Sequence, residues 1–187
     1  REFKSLWWHM RIGVMCSGNG TNFENIVRSC PEIEVVLMIH NKKNCGAKKR
    51  AQKLGIPSIH IKSKEEDQII QLFQAWRVDL IVLAGWMRIL SPKFIKAFPN
   101  KIINIHPSLL PKYKGLDAIK QAFESRDAVT GCTVHYVTEE LDSGTIISQQ
   151  EVDILPDDTL DSLTKAVHQA EYKILPETLK NLNIRGE

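Results

Sequence analysis

The 187-residue sequence contains no stretch of about 18 uninterrupted apolar residues, so a membrane-spanning helix is not expected. Cysteine is scarce. Cys16, Cys30, Cys45 and Cys132 include no C-x-x-C pair, which removes the usual zinc and redox signatures. Reduced thiols in a cytoplasmic protein are the simplest reading. Histidines at positions 9, 40, 60, 106, 135 and 168 form no H-E-x-x-H, so no protein-bound catalytic metal is expected. Charge of one sign barely predominates. The net charge is +3 and the pI about 8.6, short of the clustered excess of nucleic-acid binders. The densest basic cluster, Lys48, Lys49, Arg50 and Lys53, reads as a solvated helix face. Internal repeats, low-complexity tracts and Gly/Ser linkers are also missing.

What remains is ordinary globular composition, 43% hydrophobic and 25% charged. The length fits one domain with a full core and leaves little room for a second. Residues 1–9 precede Met10, and their apolar part is too short for a signal peptide. They read as an N-terminal extension or a cloning remnant. A single domain is expected over residues 10–187.

Along the chain, short aliphatic runs alternate with amphipathic segments. Strands are expected at residues 12–16, 33–40, 59–61, 80–84 and 101–105, and helices at 21–29, 45–54 and 64–76. Such alternation implies crossover units and a mainly parallel sheet. The strands are apolar throughout, as expected when helices cover both faces. The last third differs. Residues 130–137 and 145–153 read as strands with only a polar connector between them, an antiparallel or mixed addition to the sheet. A final helix follows from Pro156-Asp157-Asp158-Thr159 to about residue 179, with Pro176 expected to bend or interrupt it. The fold class is α/β, a three-layer open sheet, mostly parallel with an antiparallel C-terminal addition.

Four segments could carry chemistry. Ser17-Gly18-Asn19-Gly20-Thr21-Asn22 joins the first strand to the first helix, where free N–H groups and the dipole suit a phosphate. Phe23 replaces the third glycine of a dinucleotide fingerprint and a Walker lysine is missing, which leaves a monophosphate. An ordinary strand-to-helix turn fits the loop as well. Asn104 and His106 lie two apart at the end of the fifth strand and so share a face. An amide donor beside an imidazole can stabilise an oxyanion and move a proton. A strand-capping histidine is the alternative. Asp142, before Ser143-Gly144, either accompanies a histidine, favouring the imidazolium and fixing its orientation, or forms a turn. Gly85-Trp86-Met87-Arg88-Ile89-Leu90 places apolar residues in a loop that lines a pocket for a flat ring or packs under the next helix.

Together with Asn104-Ile105-His106-Pro107-Ser108-Leu109-Leu110-Pro111 and Leu141-Asp142-Ser143-Gly144, these segments occur in an order that resembles the phosphoribosylglycinamide formyltransferase family, from about residue 11 to 179. That family makes purines and has a Rossmann-like fold. The resemblance implies 10-formyltetrahydrofolate as cosubstrate and formyl donor, and the primary amine of phosphoribosylglycinamide as acceptor, with no metal. It implies Asn104, His106 and Asp142 as catalytic residues. It matches Gly20, Thr21 and Asn22 to the nucleotide phosphate, and Glu171 to the ribose. It matches Met87, Arg88, Ile89 and Leu90 to the pterin, with Asn104 also facing the folate, and Lys64 to a folate contact. In the family chemistry the amine attacks the formyl carbon. Asn104 and protonated His106 would stabilise the resulting oxyanion. A proton would reach the leaving folate through His106 or a water held by Asp142.

After Tyr113 the sequence departs from many members. Lys114-Gly115-Leu116-Asp117-Ala118-Ile119 replaces Pro-Gly, and Asp117 and Ile119 stand where histidines are common. Lys-Gly at this point is shared with methionyl-tRNA formyltransferases and formyltetrahydrofolate deformylases. Those relatives usually carry an added RNA-binding or regulatory domain, for which 187 residues leave no space. A non-catalytic nucleotide-binding module is disfavoured by the intact Asn104, His106 and Asp142. Small-molecule substrates, no nucleic acid, no membrane, a cytoplasmic location and a monomer or homodimer complete the expectation.

Overall fold

The computed structural model describes residues 9–184, so the expectations for residues 1–8 lie outside the described residues. The chain runs β1 (Arg11–Cys16), α1 (Thr21–Ser29), β2 (Glu34–His40), α2 (Gly46–Leu54), β3 (Ser58–His60), α3 (Glu66–Ala75) and β4 (Leu80–Leu83). It continues with α4 (Pro92–Ala97), β5 (Ile102–His106), α5 (Ala118–Glu124), β6 (Val129–Tyr136), β7 (Ile146–Asp153) and α6 (Leu160–Ile184). The strands form one sheet in the order β3-β2-β1-β4-β5-β6-β7. β1 to β5 pair in parallel, whereas β6 and β7 pair antiparallel, as the polar connector between them implied.

β1 and β2 are buried almost throughout because helices cover both faces of the sheet. On one face Val14, Phe23, Ile26, Val167 and Leu175 join α1, α2 and α6 to the strands. On the other Met15, Ile81, Phe73, Phe94 and Phe98 join α3 and α4. Each such fully buried side chain contributes roughly 1.5–3 kcal/mol relative to exposure. The order reverses at β1 and β4, since the chain leaves β1 toward β2 and returns to β4 on its other side. A crevice opens beyond the carboxyl ends of the strands at such a switch point.

Two short helices, α4 and α5, were given no bounds in the sequence reading, which invoked a helix after β4 only as packing for its loop. With six and seven residues they are too short to show a helical period. α4 starts with Pro92 after Ser91, whose hydroxyl accepts from the Phe94 N–H at 3.2 Å. Of the bend or interruption expected at Pro176, the interruption does not occur, and α6 continues through it. A proline removes the donor for the carbonyl four residues earlier, here Tyr172. The Asn25 side-chain amide of α1 donates to that carbonyl at 2.7 Å and replaces the missing bond. Among the described residues, no helix is long and apolar enough to cross a membrane.

Candidate active site

The loop after β1 begins with Ser17, which is fully buried. Its N–H donates to the Gly85 carbonyl at 2.9 Å, and its hydroxyl accepts from the Met87 N–H at 2.8 Å. One serine thus joins the loops that follow β1 and β4. Gly20, with φ of 75°, then turns the chain into α1. A Cβ here would lie 2.6 Å from the Ala47 Cα, so glycine is required both by conformation and by the approach of α2. Arg50 of α2 donates to the Asn19 carbonyl at 2.9 Å and ion-pairs with Glu24. The basic cluster is therefore not wholly a solvated face. Lys49 and Lys53 are exposed, while Arg50 holds the glycine loop.

The loop after β4 presents Met87 and Ile89 to the surface, 62% and 72% exposed, and turns Trp86 and Leu90 inward. Glu66 of α3 holds its far end by accepting from the Ser91 N–H at 3.1 Å and from the Ser91 hydroxyl. Among the described residues, the buried Trp86 Nε1 has no hydrogen-bond partner.

A cleft of about 870 Å³ spans these loops. It brings together Gly20, Thr21, Asn22, Met87, Arg88, Ile89, Leu90, Asn104, His106, Asp142 and Glu171. Segments more than a hundred residues apart thus share one wall. Lys64 is the exception. It is exposed in the turn before α3 and does not line the cleft.

At the cleft floor, His106 Nε2–H donates to the Tyr113 carbonyl at 2.8 Å. This leaves Nδ1 toward Asp142, with Oδ2 3.5 Å away. The same Oδ2 accepts from the Gly115 N–H at 2.8 Å, which pins the carboxylate. The other carboxylate oxygen lies 3.7 Å from Nε2 of His135, a residue that sequence reasoning did not select. His135 Nδ1–H donates to the Tyr136 carbonyl at 3.0 Å, so Nε2 is free to accept from the Asn104 amide at 3.2 Å. Burial holds His135 below the ordinary histidine value, consistent with that neutral form. Asn104 is therefore oriented by His135, its antiparallel register partner on β6. The spacing within either strand carries no trace of this. Only the β5–β6 register would have revealed it.

Asn22 donates to Glu171 Oε2 at 3.1 Å, joining α1 to α6 above the cleft. Burial pushes the Glu171 carboxyl up to about 7, against the lowering effect of Asn22. His168, one turn earlier on α6, lines the same wall, as do Leu116 and Leu141. Leu116 and Leu141 sit within or beside quoted motifs but as apolar residues carried no signal of their own, and His168 lies far from any motif. Among the described residues, no group of three or more His, Cys, Asp or Glu could hold a metal ion. All four cysteines are free and buried. Burial pushes Cys30 up to about 11 and Cys132 up to about 12, which makes both poor nucleophiles.

Residues 10–179 match the family described as formyl transferase. The phosphoribosylglycinamide formyltransferase of Haemophilus influenzae is 40% identical over 181 residues, covering 91% of this chain and 85% of the relative. The trifunctional purine biosynthetic protein adenosine-3 of Drosophila melanogaster is 42% identical over 185 residues. That match covers 92% of this chain but only 14% of the fly protein. The chain likewise spans less than a fifth of the chicken and Chironomus tentans trifunctional proteins it resembles. Among solved structures, the phosphoribosylglycinamide formyltransferase of Anaplasma phagocytophilum superposes with a TM-score of 0.92 at 38% identity. The match covers 95% of this chain and 88% of that one. With its motifs, its sheet order and the convergence of both at one cleft, the chain belongs to the formyl transferase family.

Proposed function

We propose that this chain transfers the formyl group of 10-formyltetrahydrofolate to the primary amine of phosphoribosylglycinamide, giving the N-formyl product and tetrahydrofolate for purine synthesis. The observation that carries this is the cluster of Asn104, His106 and Asp142 on one cleft floor, between a glycine loop and an apolar loop. The N–H groups of Gly20, Thr21 and Asn22 at the start of α1 would bind the phosphate. Glu171 would accept from the ribose hydroxyls. The exposed Met87 and Ile89 at the rim, with Arg88 beside them and the buried Leu90 beneath, suit the flat pterin. Lys64 would meet the folate only beyond the cleft.

In this reading the amine attacks the formyl carbon, and Asn104 donates to the oxygen as it gains charge. His135 holds the Asn104 amide in the donating orientation. His106 presents Nδ1, its Nε2 being engaged by Tyr113, and Asp142 holds that ring and any water beside it. The proton lost by the amine passes through this pair to the departing folate nitrogen. The relatives of comparable length support the glycinamide ribonucleotide as acceptor. A cytoplasmic location and a monomeric or dimeric state belong to the same reading.

The test mixes the protein with both substrates and follows the absorbance of deformylated folate. Release that requires the nucleotide amine is the expected result. Folate release without acceptor would make the protein a deformylase, and no reaction with either would make it a binding module.

A further inference from the structure

Asp127 lies outside the cleft, between α5 and β6, and formyl transfer as described makes no use of it. Its Oδ2 accepts from the Tyr113 hydroxyl at 2.9 Å and from Lys112 Nζ at 3.2 Å. The Tyr113 hydroxyl, and then Lys112, hold the Asp127 carboxyl below the ordinary carboxylate range. The backbone carbonyl of the same tyrosine accepts from His106 Nε2–H. Tyr113 sits at a φ of 54°, a left-handed conformation that a bulky residue keeps only when its surroundings impose it. The segment before it is held separately. The Ser108 hydroxyl donates to the Lys112 carbonyl at 2.6 Å, and the Thr133 hydroxyl donates to the Ser108 carbonyl at 2.7 Å. The Ser108 hydroxyl also reaches the Tyr113 carbonyl itself, at a long 3.5 Å, but none of these bonds acts on the Tyr113 side chain. The hydroxyl–carboxylate bond does, and it fixes the residue whose carbonyl grips the imidazole.

We propose that Asp127 is a positioning residue: through the Tyr113 hydroxyl it holds the Tyr113 carbonyl on His106 Nε2, and so aims His106 Nδ1 at Asp142 and the cleft. The inference rests on the formyl-transfer reading for its kinetic consequence. A ring that loses its outer tether can swing about its side-chain bonds, and a displacement of about 1 Å at a reacting group can cost on the order of a hundredfold in rate. With the other bonds of the segment intact, the expected loss is smaller.

The test uses the full chain with 15N-labelled histidine and two variants, Tyr113→Phe and Asp127→Ala. Tyr113→Phe removes one oxygen and keeps the ring, so it decides alone should Asp127→Ala not fold. The His106 Nε2–H resonance is assigned by its loss in His106→Ala. In both variants it is expected to move toward the position of a water-exposed imidazole. The kcat is expected to fall about five- to twentyfold, with KM for both substrates within twofold. The double variant should be no slower than the slower single one, because both changes break one chain of contacts. An unmoved resonance, an unchanged kcat in both variants, or losses that multiply in the double variant would each overturn the proposal. The parent's own transfer rate tests the functional reading, whereas the His106 resonance tests the tether whether or not the parent is active.

Discussion

At the scale of the residue, the site is a set of side chains whose orientations are fixed by backbone groups. Tyr113, Tyr136 and Gly115 supply a carbonyl, a carbonyl and an N–H to His106, His135 and Asp142. The geometry of the site therefore depends on backbone groups as much as on the named side chains. His106→Ala and Asp142→Asn are each expected to lower kcat by about 10²–10⁴-fold with an unchanged circular dichroism spectrum, as measured by steady-state transfer assays. Near-parental turnover in either would remove that residue from the chemistry. Glu171 offers a second test. Its folded pKa, about 7, lies above its unfolded value of 4.5, so the folded state holds the extra proton. Stability from this group is fully present below about pH 4.5 and is lost as pH rises through 7, by about 3 kcal/mol. Between pH 4.5 and 7.5 the parent should therefore lose more stability in urea titrations than Glu171→Gln. Parallel curves would show that burial of Glu171 is not costly.

At the scale of the element, most helices and strands were legible because each carries its own period. α1 occupies residues 21–29 as read, and the strands at the sheet centre fall within a residue or two of their expected limits. α4 and α5 could not be delimited because a helix of six or seven residues relies on caps and on the surface beneath it. α6 is longer than its local signals imply. Its proline is a local signal for interruption, overridden by a donor from another helix. Asn25→Ala should leave the Tyr172 carbonyl without its side-chain donor and cost about 1–3 kcal/mol. In a Pro176→Ala background, where the backbone N–H returns, the same change should cost much less. A thermodynamic cycle from chemical denaturation of the four proteins measures the coupling. Additive losses would mean that Asn25 does not compensate for the proline.

At the scale of the whole molecule, the strand order places the glycine loop, the apolar loop and the floor carrying Asn104, His106 and Asp142 around one crevice. Nucleotide bound there as proposed would touch α1, α6 and the end of β5, so its binding energy should appear as global stability. Phosphoribosylglycinamide at about 100 times its Kd is expected to stabilise the fold by about 2.7 kcal/mol. Gly20→Ala should lose most of this gain, since both its backbone and its contact with Ala47 would be strained. Differential scanning calorimetry with and without the nucleotide checks both. An equal rise in melting temperature for parent and variant would place the phosphate elsewhere.

The sequence by itself determined the α/β class, the order of the longer elements and the identity of the four loops, because periodicity, turn chemistry and motif strings act over a few residues. It also named Asn104, His106, Asp142 and Glu171. Tertiary structure alone decided how they are held. The antiparallel register of β5 and β6 sets His135 against Asn104. The path of the chain beyond His106 brings Tyr113 onto Nε2 and leaves Nδ1 for Asp142. Packing of α6 over α1 buries Glu171 and supplies Asn25 to Tyr172. Each of these is a contact between segments distant in sequence, and the free energy that selects it belongs to the assembled core rather than to any local stretch.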